Sequence, residues 1–111
     1  MLAVSPEQVL GGTLVSLSGA IEDPAVVAAL TDGLARLTED GLVVVDLSNV
    51  AIAPLAVVTE MVMRFGDQLD ASKFRLVCSR LSGRRILRRS GIRLAVFASV
   101  AEALTPGPVL P

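Results

Sequence analysis

Apolar side chains recur along this chain in two ways, as short runs and as stripes three to four residues apart, and the two alternate. Leu2–Val4 and Thr13–Ile21 read as two strands joined through Gly11-Gly12, a hairpin-like opening. In the second, Leu14, Ser16 and Ser18 alternate with Val15 and Leu17, a partly regular period of two. Asp23-Pro24 then starts a helix. An Asp at the cap accepts a free backbone amide, and the fixed φ of Pro suits the first helical position. Val26, Val27, Leu30, Leu34 and Leu37 follow at helical spacing and form one stripe, which Thr38–Gly41 ends.

Leu42–Val45 is an unbroken apolar run closing on Asp46, the pattern of a central strand buried on both faces. A loop over Leu47–Ala53 is expected to lead to Pro54 and a second helix reaching about Leu69. On a helical wheel Val58, Met61, Val62, Phe65 and Leu69 face the core, while Ala56, Thr59 and Met63 fall opposite with Glu60 and Asp67. Phe74–Cys78 reads as a further buried strand. Ser82 is expected to cap a short helix with Ile86 and Leu87 on one face and Arg84, Arg85, Arg88 and Arg89 on the other, stopped by Gly91. Leu94–Phe97 gives the last strand, and Ser99-Val100-Ala101-Glu102 is a capping-box sequence opening a final helix. The predicted order is ββαβαβαβα, an α/β domain with a mixed, mostly parallel sheet flanked by helices. Residues 1–104 form that domain, and 105–111, with three prolines, is read as a loose tail.

Composition narrows the chemistry. The chain has 111 residues, room for one core, and only three aromatic side chains, so Val, Leu, Ile and Ala must build it. It contains no His, which removes Ser-His-Asp and Cys-His triads, and with one Cys it cannot build a structural zinc site. The reading is therefore a non-enzyme without cofactor or metal. Lone Cys78 suits a reducing compartment and is expected to be a buried, inert thiol. No apolar run approaches the roughly 18 residues of a membrane span, and the N-terminus lacks a signal pattern, so the expectation is a cytoplasmic protein not inserted in membrane. Net charge is −1, yet nine of the ten basic residues lie in Arg64–Arg93. That sorting steers an acidic partner or simply solvates one face. A pI of 5.3 and the lack of Tyr and Trp argue against nucleic acid. Gly11-Gly12-Thr13 lacks the spaced glycines and Lys of a phosphate loop, and Glu22-Asp23 lacks the further oxygens a cation needs.

One stretch carries a resemblance. Val43–Val58 reads VVVDLSNVAIAPLAVV, and Asp46-Leu47-Ser48-Asn49-Val50 is similar to the Asp-Leu-Ser-Gly-Val of STAS domains. That family includes anti-sigma factor antagonists and the cytoplasmic domain of sulfate transporters. Leu87-Arg88-Arg89-Ser90-Gly91-Ile92 resembles the family's Leu-x-x-Thr-Gly-Leu helix end. Val100–Leu104 resembles its closing helix, and Gly19-Ala20-Ile21-Glu22 stands where members carry Gly-Glu-Leu-Asp. The family's switch motif, Asp-Ser-Ser-Gly, is replaced by Pro54, Leu55, Ala56 and Val57. Its second serine is the phosphoacceptor in switchable members, and Ala56 has no hydroxyl to modify. Thr59 and Ser48 are the nearest substitutes, each more simply read as satisfying backbone.

The resemblance implies a protein-binding regulatory domain, bound to an anti-sigma factor or its kinase and not switched at Ala56. Its contact surface would comprise Pro54, Leu55, Ala56, Val57, Thr59 and Met63, flanked by Arg85, Arg88 and Arg89. Two alternatives stay open: a STAS-like accessory subunit of a lipid-transport complex, and a sensor of a small anionic ligand near Ser82 and the arginines. A homodimer is a further candidate assembly.

Overall fold

The computed structural model describes residues 2–9, 11–37 and 41–104. Its elements run β1 (Leu2–Val9), β2 (Gly12–Ile21), α1 (Pro24–Ala35), β3 (Leu42–Ile52), α2 (Leu55–Gln68), β4 (Phe74–Val77), α3 (Leu81–Arg89), β5 (Ala95–Phe97) and α4 (Val100–Leu104). This is the expected ββαβαβαβα order. Strands β1 and β2 pair antiparallel, and β2 through β5 are parallel, in the spatial order β1-β2-β3-β4-β5.

That order never reverses direction across the sheet. Right-handed crossovers between successive parallel strands then place their helices on one face. Accordingly α1, α2 and α3 pack over Val15, Leu17, Val43, Val45, Phe74 and Leu76, with Val27, Leu34, Met61, Phe65 and Leu87 coming down from above. The other face has its own small cluster, in which Ala103 of α4 meets Val44 and Val77. Arg75 holds α4 there: its guanidinium donates to the Ala103 carbonyl and lies 5.8 Å from the Phe97 ring centroid.

The expected loop over Leu47–Ala53 is instead strand as far as Ile52. Between the pairs Ser16↔Asp46 and Ser18↔Asn49, β2 advances two residues and β3 three. The extra residue is a β-bulge, which shifts the side-chain alternation. Before it Val43, Val45 and Leu47 face the helices; after it Val50 does, with Ile52 packed alongside. Asp46 secures the bulge by accepting the Ser48 N–H at 2.9 Å.

Helix ends follow the sequence at one site and depart from it at another. Asp23 caps α1 by accepting the Ala25 N–H at 2.8 Å. For α3 the cap position falls on Arg80, not Ser82, and no side chain closes it. The Ser82 side chain lies inside the first turn, two residues too late to cap. At the other end Gly91 follows with φ 82°, as the stop signal requires. Ser99 and Glu102 form a reciprocal cap on α4, with Ser99 Oγ accepting the Glu102 N–H and the Glu102 carboxylate accepting that of Ala98. In α1, Thr31 joins the core, its hydroxyl donating to the Val27 carbonyl at 2.7 Å, while Val26 and Leu37 are half-buried. The tail read over 105–111, and residues 38–40 of the expected α1 terminus, lie outside the described residues. Among the described residues no helix is long and apolar enough to cross a membrane.

Candidate functional site

The residues singled out from the sequence gather where β3 ends, α2 begins and α3 lies alongside. The peptide Ala53–Pro54 is cis, and Pro54 takes the cap position of α2 without a side-chain cap. From this corner Pro54, Leu55 and Ala56 project outward, Leu55 being 68% exposed. Val57 is different. At 2% exposure it packs with Val58 beneath the helix, so it belongs to the core and leaves the surface set. The reason is angular: one residue after Ala56 the helix has turned about 100°, to the face shared with Met61 and Phe65.

Ala56, Thr59 and Met63 are three and four residues apart and all exposed, Met63 at 58%. They form the outer stripe of α2 that the helical wheel predicts. Thr59 sits in the second turn of α2, and its hydroxyl donates to the Leu55 carbonyl at 3.1 Å. Ser48, half-buried at the bulge, accepts the Ser79 N–H on Oγ at 3.0 Å. Both hydroxyls thus serve nearby backbone.

On α3 the arginines divide. Arg84 turns inward and donates to the carbonyls of Cys78 and Ser79 at 2.8 and 3.0 Å, tying the helix start to the end of β4. Arg88 is exposed and reaches the Val96 carbonyl at 3.4 Å. Arg85 and Arg89 are exposed. Two clefts separate α2 from α3 and its following turn. One brings Met63 and Asp67 opposite Ser90 and Arg93. The other is apolar and lies between the bulged end of β3, Val58 and Met61 of α2, and Ile86 and Leu87 of α3. Ile86 was expected to be buried beside Leu87, but only Leu87 is; Ile86 is 45% exposed at the cleft mouth. Adjacent residues on a helix are about 100° apart, so Leu87 points down while Ile86 faces the cleft.

Cys78 is buried, as expected, with its sulfur 3.7 Å from the Arg80 carbonyl. Gly11, with φ 90°, leads into β2. Among the described residues no cluster of three or more acidic or Cys side chains is placed to hold a metal ion. The strand order also offers no reversal point, the crevice at which open α/β sheets bind nucleotides.

Arg80, Leu81 and the cleft were missed from sequence. The legible signal was Leu81 itself, an apolar residue opening an otherwise strongly basic helix, and it stands 50% exposed.

No protein-family model matches the chain, and no curated sequence relative does. The fold does have a solved counterpart. The crystal structure of an anti-sigma factor antagonist from Mycobacterium paratuberculosis superposes with a TM-score of 0.70 at 22% identity, covering 94% of this chain and 92% of that one. The two chains share one fold, as the resemblance at Asp46–Val50 implied.

Proposed function

We propose that this protein is a non-catalytic, protein-binding regulator of the anti-sigma antagonist kind, permanently competent to bind because the switch position is Ala56. The observation that carries the reading is the outer stripe of α2. Ala56, Thr59 and Met63 run along one exposed line, and Leu55 stands exposed beside its start, so that apolar side chains group at this end of the helix, on a fold like that of an anti-sigma factor antagonist. Apolar side chains grouped at a surface favour a lasting protein contact. The exposed Arg85, Arg88 and Arg89 on neighbouring α3 supply a polar rim suited to carboxylates, which the planar guanidinium engages in pairs. The partner is an anti-sigma factor or its kinase, in the cytoplasm. Phosphorylation elsewhere would add nearly two negative charges beside an interface; at position 56 there is no oxygen to receive them.

The test is a pull-down from source-cell lysate with wild-type bait and with Ala56→Asp, which imitates the missing charge. Capture of a soluble anti-sigma or kinase-like protein by the wild type, lost in Ala56→Asp, supports the reading. Capture of a membrane permease or its ATPase, insensitive to the substitution, replaces it with the transport-subunit alternative.

A further inference from the structure

The apolar cleft between β3, α2 and α3 has about 200 Å3 of free volume. Its walls are Leu47, Val50, Val58, Met61, Ile86 and Leu87. Three polar residues also line it: Ser48, Ser82 and Arg80. None of the residues lining the cleft is acidic, and Arg80 is the one charged residue among them. Among the described residues the Arg80 guanidinium makes no hydrogen bond or ion pair, unlike Arg84 on the next turn. The Ser82 hydroxyl has no partner among them either, and Ser48 keeps its own proton to donate, since it only accepts from Ser79.

Size and lining together select the guest. A closed apolar cavity of about 150 Å3 accommodates benzene, whereas drug-sized ligands and cofactors occupy roughly 300–1,000 Å3. A nucleotide is too large and too polar for these walls. Arg80 and Ser82 stand exposed at the edge of the cleft, where water satisfies them, and a wholly apolar guest would engage none of the three polar groups. A carboxylate answers all three, because Arg offers a planar fork and each hydroxyl one donor.

We infer that this cleft binds a small monocarboxylate of about eight to ten non-hydrogen atoms in all, a six-carbon fatty acid or an arylacetate. The apolar body lies against Val50, Val58, Met61 and Leu87, and the carboxylate faces Arg80 with Ser82 and Ser48 beside it. Ile86 closes the mouth. The site is separate from the partner-binding surface proposed above and stands without it.

The experiment is a titration of the purified full chain, with no partner present, followed by methyl NMR. The probes are hexanoate and phenylacetate, each against its uncharged alcohol. Wild type is expected to saturate with the acids at a Kd on the order of 0.1–1 mM, with shifts at the methyls of Val58, Ile86 and Leu87. The alcohols bind at least fivefold more weakly. Arg80→Gln, at an exposed position, abolishes that difference while keeping the fold. Ile86→Trp, which fills the mouth, weakens acid and alcohol alike. Absence of saturation at concentrations tenfold higher, equal binding of acid and alcohol to wild type, or unchanged acid affinity in Arg80→Gln each overturns the inference. None of these results bears on the partner, so the two proposals fail separately.

Discussion

A Cβ at Gly83 would stand 2.6 Å from the sulfur of Cys78. The two residues fix how closely α3 descends onto the end of β4, and with it the width of the cleft beside Leu87. Gly83→Ala must displace the sulfur or lift the helix. The expected loss is about 1 kcal/mol, the steric cost exceeding what Ala adds to helix propensity. Trimming the opposing atom relieves the conflict. In urea unfolding, the double variant Gly83→Ala/Cys78→Ala should be about 1 kcal/mol more stable than the sum of its single variants allows. Strict additivity would mean that the contact is slack.

A harsher case occurs where two strands begin. The Cβ of an Ala at position 12 would fall 1.9 Å from the Leu42 carbonyl oxygen, backbone that cannot rotate away. Gly12→Ala is expected to cost about 3–5 kcal/mol, comparable to losing a large core side chain. Gly11→Ala meets no neighbouring atom, so its cost comes from φ 90° alone and should be about 1 kcal/mol. Thermal unfolding of the pair separates collision from backbone preference.

Asp70 organises the turn into β4. Its carboxylate accepts the backbone N–H and the hydroxyl of Ser72 at 2.9 and 2.7 Å, and these bonds, with Lys73 nearby, hold its pKa below the ordinary 3.8. A depressed folded-state pKa contributes stability that is present above the unfolded value and lost as pH falls through the folded one. Ser72→Ala removes the hydroxyl bond but leaves the backbone one. Its carboxyl pKa, followed by NMR, should move up towards 3.8 without reaching it. The variant should also lose some of the wild type's advantage above that pH and none well below it. A titration unchanged by Ser72→Ala would refute the assignment.

Met63 offers the cleanest separation of binding from folding. Being 58% exposed, it should accept Asp with a stability change within about 0.5 kcal/mol. Partner affinity, measured by calorimetry once the captured protein is in hand, should fall at least tenfold, as expected for a charge placed in an apolar contact. Arg88→Glu should slow association and flatten its decline with salt, since a rim charge acts mainly on encounter and less attraction is left to screen. Normal affinity in Met63→Asp would remove α2 from the interface.

Much of this architecture can be read from residue order. The runs Leu42–Val45 and Phe74–Val77 and the stripe Val58-Met61-Val62-Phe65-Leu69 all lie where their periodicities put them. The failures have physical causes. The end of β3 was invisible because the bulge moves the inward positions from Val43, Val45 and Leu47 to Val50 and Ile52, so neither a period of two nor a continuous run survives. Ser82 looks like a cap because Ser favours that place, yet Arg84 satisfies the end of β4 and sets the helix start two residues earlier. Of the surface set, Val57 was taken with its neighbours as a block; the helical turn, already known from Val58 and Met61, sends it inward. The cleft depends on the distance between α2 and α3, a tertiary quantity with no local signature.

The unreversed strand order has a consequence for how the molecule is made. Every strand finds its partner in the strand just before it in the chain, so no pairing must wait for a distant segment. Each parallel pairing joins residues 20 to 31 apart, so it must wait for one crossover helix and its loop-closure entropy, but for nothing beyond that. During synthesis the β1–β2 hairpin can form first, and each later strand and its helix can be laid down on a sheet already present. The only piece that must cross to the far face is α4, the last helix of the described chain to be made. Until it arrives, Val44 and Val77 stand open to solvent, and the nascent protein carries there the sticky patch that a chaperone would recognise.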